Sequence, residues 1–178
     1  MISEGREFES PRGLFSFYLT FYKYLHMVEL IFADIVLRMI VATIIGALIG
    51  IERELHGISA GMRTHALVCL GAAMFTLISI QISIIDSRVD IARVAAGVVT
   101  GVGFLGAGAI FFDKKNLHGF TTAANIWVVA SLGMMIGIGE VFVSVIAAGL
   151  VLALLVAGKI FEIKVIRKRE KKWGIFKI

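Results

Sequence analysis

Long apolar runs separated by short charged loops constrain this chain more than any other feature. Five runs stand out: about Ile35–Ile51, Ala66–Ile85, Val94–Phe112, Thr121–Ile138 and Val141–Ile160. Crossing about 30 Å of hydrocarbon takes about 20 apolar residues in a helix. Lipid offers no partner for backbone N–H and C=O groups, so each run must close its hydrogen bonds on itself as a helix. The expected fold class is therefore all-α, a polytopic membrane protein of about five transmembrane helices. Hydrophobic residues make up 58% of the 178 positions, against about half in a soluble domain. A further segment, Leu14–Phe32, is interrupted by Lys23, His26 and Glu29 and reads as interfacial or disordered.

The expected organisation has three parts. Residues 1–33 form an amino-terminal extension, 34–161 the five-helix domain, and 162–178 a basic tail. From Lys159 to Ile178 there are eight Lys/Arg and two Glu, more than the whole net charge of +5. This block lies directly against the last span, where it reads as an orientation signal rather than a nucleic-acid site. It places the carboxy terminus in the cytoplasm and, with five spans, the amino terminus outside. Residues 1–12 carry mixed charge with more acid than base, which is not a secretory signal. Met27 is an alternative start, since it leads directly into the first strong span. Cys69 is the only cysteine and lies between Val68 and Leu70, as an inert buried thiol would.

Gly101-Val102-Gly103-Phe104-Leu105-Gly106 fits the dinucleotide pattern GxGxxG. That pattern needs a strand before it and a helix opening after it, whereas here it lies inside an apolar run. Gly97, Gly101, Gly103, Gly106 and Gly108 instead read as a small-residue face that lets another helix approach. A locally broken helix lining a site is the alternative.

Polar groups collect at the ends of the runs. Arg38 lies within the first, four residues after Asp34, so the two share a helix face. Arg38 is either a snorkelling arginine or a site residue. Glu52–His65 holds two carboxylates, Arg53, Arg63 and two histidines. Glu52 and Glu54 are the only metal-ligand candidates, of the oxygen type that suits Mg²⁺. A salt-bridge cluster at the helix ends is the plainer reading. Thr121 and Asn125, four apart with Thr122 beside them, suit bonds to a neighbouring helix or the lining of a polar path. No nucleophile elbow, Walker A or kinase set is present, so no enzyme is expected. No carboxylate sits at the middle of a span, which weakens a transporter reading.

Gly46-Ala47-Leu48-Ile49-Gly50-Ile51-Glu52-Arg53-Glu54 and Gly61-Met62-Arg63-Thr64-His65-Ala66-Leu67-Val68 resemble the MgtC/SapB family of membrane proteins. So do the run from Arg93 through Gly106-Ala107-Gly108 and the segment Gly119-Phe120-Thr121-Thr122-Ala123-Ala124, followed by Trp127. The resemblance covers about Val28 to Phe161. It implies an inner-membrane protein linked to Mg²⁺ homeostasis. It also implies action as a regulator that contacts other membrane proteins, including the proton-translocating ATP synthase. The positions carried over are Glu52, Arg53, Glu54, Gly61, Arg63, Thr64, Gly103, Gly106, Gly108, Gly119, Thr121 and Thr122. The shortness of the chain after the fifth run suggests the form without a soluble carboxy-terminal domain.

The expected function is thus a multi-pass inner-membrane protein of Mg²⁺ homeostasis that regulates another membrane protein through helix contacts. The alternative is an oligomeric Mg²⁺ transporter or channel. Asp34, Arg38, Arg93 and Asn125 complete the candidate set. No cofactor is expected beyond Mg²⁺ as a ligand or substrate. The expected partners are the bilayer, a membrane protein and a second copy of the chain.

Overall fold

The computed structural model describes the backbone of residues 11–86, 88–113, 116–161 and 164, and the side chains of 31–86, 88–111, 118–161 and 164. Its elements are α1 (Pro11–Leu55), α2 (Met62–Ile85), α3 (Ala92–Gly108), β1 (Phe111–Asp113), β2 (Asn116–His118), α4 (Phe120–Ile138) and α5 (Val141–Phe161). The chain divides into two units, Met1–Leu37 and Arg38–Ile178. The first is helical from Pro11 onward. Within the expected amino-terminal extension, residues 1–33, the described part from Pro11 is helical. Proline suits the first position of a helix, where its missing N–H costs no bond. The basic tail falls almost wholly outside the described residues, and so do Lys114 and Lys115.

Four segments are long and apolar enough to cross a bilayer: Ile31–Leu55, Met62–Ile85, Phe120–Ile138 and Val141–Phe161. The remaining apolar helix, α3, has 17 residues, which gives it a length of about 25 Å. The expectation that this run extends to Phe112 is corrected: α3 ends at Gly108. Phe111–Asp113 then pairs antiparallel with Asn116–His118, Phe111 opposite His118. Gly119 closes the turn at φ +98, with its α-carbon packed against the Ala109 carbonyl. A side chain there would meet that carbonyl, so a backbone conformation and a close approach both demand glycine.

α4 is the central helix. Half of its apolar window is buried, against 11% for α5. It touches α2, α3 and α5. The core formed by α1, α2, α4 and α5 contains Ala42, Ile45, Ile49, Cys69, Ala73, Val129, Leu132, Ile136 and Ala148. A smaller core joins Ala60 and Ala72 to Val102 of α3 and to Ile126 and Ala130 of α4.

Glycine sets the helix spacing. A Cβ on Gly46 would lie 2.5 Å from the His65 carbonyl oxygen, and one on Gly50 would lie 2.6 Å from Met62 Cα. These contacts join α1 to α2, and their numbers run in opposite senses, so the two helices are antiparallel. Gly133 packs on the Cys69 carbonyl, and a Cβ on Gly137 would lie 2.6 Å from Thr76 Cβ. Here the numbers rise together, so α2 and α4 are parallel. Small residues allow such approaches where lipid supplies no hydrophobic drive. A faint repeat at an offset of 58 residues aligns Gly61 and Thr64 with Gly119 and Thr122. In the structure these are the glycines that open α2 and α4 and the third residue of each helix.

Candidate functional site

The polar end of α1 folds back onto the start of α2. The helix runs on through Glu52, Arg53 and Glu54, one turn past the expected end of the run at Ile51. Glu54 Oε2 accepts a 3.0 Å bond from the Met62 N–H, putting a carboxylate at the positive start of α2. Glu52 meets His56 Nδ1 at 3.0 Å and Arg53 Nη1 at 3.5 Å. Both candidate metal-binding carboxylates therefore have protein partners. Among the described residues, no group of three or more His, Cys, Asp or Glu side chains converges as a metal site would require.

One turn further on, His65 is fully buried between α2 and α4. Its Nδ1–H donates to the Gly61 carbonyl at 2.9 Å. Its Nε2 accepts from the Asn125 side-chain amide, also at 2.9 Å. Asn125 is likewise buried, so the pair forms a dry hydrogen-bonded bridge between two membrane helices. Asn125 was expected to bond to a neighbouring helix. His65 was missing from the candidate set, although a histidine at the fourth position of an apolar helix was a signal for such a partner.

Arg38 serves the opposite end of α4. Gly139 closes that helix at φ +103, with its N–H bonded to the Ile136 carbonyl at 3.0 Å and the Glu140 N–H to the Met135 carbonyl at 3.0 Å. This is a left-handed glycine cap. The Arg38 guanidinium lies against Gly139 and donates from Nη1 to the Gly137 carbonyl at 3.0 Å. A cation at the negative end of a helix stabilises it by up to about 2 kcal/mol when partly buried. Arg38→Leu should cost about that much, and Arg38→Lys less, read as the thermal midpoint of the detergent-solubilised protein. An unchanged midpoint in Arg38→Leu would remove this role.

The other candidates are dispersed. Asp34 is exposed in the first unit, and Arg63, Thr64, Arg93 and Thr121 are exposed in the second, while Thr122 is buried. Asp86 and Arg88 form an exposed ion pair at 2.9 Å beyond the end of α2. The Arg88 guanidinium holds the Asp86 carboxyl below its ordinary range.

The expected packing face of α3 is open. A Cβ added at Gly97, Gly101, Gly103 or Gly108 has no atom within 4 Å, and one at Gly106 makes ordinary contact with Ala123. Gly97 and Gly101, with Gly71 of α2, instead line an apolar groove of about 650 Å³ between α2 and α3, walled by Leu67, Phe75 and Leu105.

The MgtC family model matches residues 39–163, which take in the His65–Asn125 bridge and the Glu54 contact but begin just after Arg38. The chain belongs to the MgtC family. It is 46% identical over 112 residues to the "Putative magnesium transporter YhiD" of Escherichia coli K12, covering 60% of this chain and 52% of that protein. It is 43% identical over 117 residues to the protein MgtC of Salmonella typhimurium, covering 66% of this chain and 48% of that protein. An uncharacterized Haemophilus influenzae protein is 36% identical over 148 residues, covering 79% of this chain and 62% of that protein. The chain thus spans about half the length of the first two relatives. No solved structure matches it. Membership agrees with the apolar helical architecture of a multi-pass membrane protein. Within that family's matched region, Gly61 and Gly119 open helices, Glu54 caps one, and Asn125 bridges two.

Proposed function

We propose that this membrane protein of Mg²⁺ homeostasis acts by seating a transmembrane helix of another membrane protein in the α2–α3 groove. The observation that carries this reading is a contrast among three glycine pairs of identical spacing. Gly46/Gly50 and Gly133/Gly137 are filled by α2, whereas Gly97/Gly101 faces open space. An apolar glycine-floored groove fits an apolar helix, which gains van der Waals contact there that lipid chains supply less well. The proton-translocating ATP synthase is the partner proposed. We assign the end carrying Arg53 and Arg63 to the cytoplasm, a reading supported by the positive-inside bias.

Gly101→Leu tests the reading, because the added side chain fills the groove without meeting an atom of this chain at Cβ. The variant should insert and melt like the parent yet lose co-purification of the ATP synthase membrane subunits by at least tenfold. Equal recovery of those subunits with parent and variant would overturn the proposal.

A second reading, an oligomeric Mg²⁺ conduit, is favoured by the magnesium-transporter name of the Escherichia coli relative. It requires Mg²⁺ flux into liposomes holding the purified chain, and a reduced flux in Glu52→Gln. A flux no higher than that of empty liposomes would remove it.

A further inference from the structure

A recess of about 500 Å³ opens at the start of α4, well apart in character from the apolar groove. It is lined by Arg53, Ser59, His118, Gly119, Thr121 and Thr122, among others. Two observations about it are independent of each other. The first is that α4 begins at Gly119 with no side chain capping its first N–H groups. The 19-residue helix therefore presents its positive end to the recess. The second concerns Arg53. Its side chain is only 10% exposed, and its closest ion-pair contact is the long 3.5 Å approach of Nη1 to Glu52. Its Nε is buried with no hydrogen-bond partner. A guanidinium is always charged, and its planar fork matches an oxyanion. The guanidinium lines the recess, and its one ion-pair partner among the described residues is Glu52 at 3.5 Å, so a ligand oxygen there can bond to Nη donors that the protein leaves unused.

We propose that this recess binds a small oxyanion of the phosphate type, held by the Arg53 fork and the first-turn N–H groups of α4. The Thr121 and Thr122 hydroxyls add donors at the same mouth. Glu52 does not fill this role, because its carboxylate reaches Arg53 only at 3.5 Å. The phosphate has two sources, a free ion or the headgroup of an anionic phospholipid, and both present the same oxygens. The inference stands whether or not the α2–α3 groove holds a partner helix.

The test uses the full chain in a zwitterionic detergent without a phosphate group. Equilibrium dialysis with radiolabelled inorganic phosphate measures the free ion. Native mass spectrometry after adding phosphatidylglycerol measures the lipid. The parent should bind one of the two saturably, and which one identifies the source. Arg53→Ala should weaken that binding by at least tenfold. Should Arg53→Ala fail to fold, Thr121→Asp provides a second measurement. An acid in the first turn of a helix favours folding, while here it would occupy or repel from the recess and again reduce binding at least tenfold. No saturable binding of either probe by the parent, or binding unchanged in the folded variants, would overturn the proposal.

Discussion

Gly133→Leu is expected to prevent α2 and α4 from closing and to leave no monodisperse protein after detergent extraction. Gly133 packs directly on the Cys69 carbonyl, and an added Cβ would also lie 3.0 Å from Ala72 Cβ. The obstructing atom belongs to backbone, so no rotamer change relieves the overlap and the helices must move apart. Overpacking a close-packed site costs about 1–3 kcal/mol, and more when the backbone must shift. Folded proteins hold only about 5–15 kcal/mol in total. Gly133→Ala should therefore fold with a lowered thermal midpoint, equivalent to about 2 kcal/mol, and Gly133→Leu should not fold. Truncating the Cys69 side chain should rescue neither, because the contact is with its carbonyl. Gly101→Ala is the matched control, since a Cβ there has no atom within 4 Å. Equal midpoints for Gly133→Ala and Gly101→Ala would show that the α2–α4 spacing is not set by glycine.

That contrast shows where the sequence stops being legible. Apolar length and charged interruptions sufficed to locate all five helices, because the cost of unsatisfied backbone in lipid acts on each run alone. The end of α3 did not follow from hydropathy, since Ile110, Phe111 and Phe112 are as apolar as a helix end. What ends the helix is the hairpin and the Gly119 turn behind it, a contact with Ala109 ten residues earlier. The end of α1 was also misplaced. Glu52, Arg53 and Glu54 are polar, but they are helix formers, and Glu54 is used by α2 eight residues later. Three glycine pairs of the same spacing are indistinguishable as sequence, and only tertiary contacts separate the two filled pairs from the open one. Arg38 was visible as an anomaly within a span, but its acceptor lies 99 residues away on Gly137.

The filled and open pairs also bear on the two functional readings. Gly46, Gly50, Gly133 and Gly137 bring backbones together along both faces of α2, which consumes the space between these helices. A conduit for a hydrated divalent ion would need polar groups along such a space. The lining of the α2–α3 groove is instead aliphatic and aromatic side chains with glycine, suited to another apolar helix. Among the described residues, Glu54 and Arg38 join helix ends instead, Glu54 at α2 and Arg38 at α4.

Asn125→Leu should destabilise the protein by about 1–2 kcal/mol, the upper part of the range for hydrogen bonds between membrane helices. The size follows from what is left behind. His65 is fully buried, and losing Asn125 leaves Nε2 with no donor in a site closed to water. The imidazole cannot turn to find another partner without giving up its Nδ1–H bond to the Gly61 carbonyl. His65→Leu should cost a similar amount, since it strands the Asn125 amide and leaves the Gly61 carbonyl only the 3.2 Å bond from the backbone N–H of residue 65. The double variant His65→Leu/Asn125→Leu removes both polar groups together, and replacing a buried pair by apolar side chains is often nearly neutral. Its loss should therefore fall short of the sum of the single losses by about 1 kcal/mol. Thermal midpoints of the four proteins in one detergent close this cycle. Strict additivity would mean that the two side chains do not bond across α2 and α4. A shortfall confirms that the parallel pair is held by a buried polar bridge as well as by glycine. Such a bridge fixes the axial register of α2 on α4, because displacing either helix by one turn, about 5.4 Å, would break it.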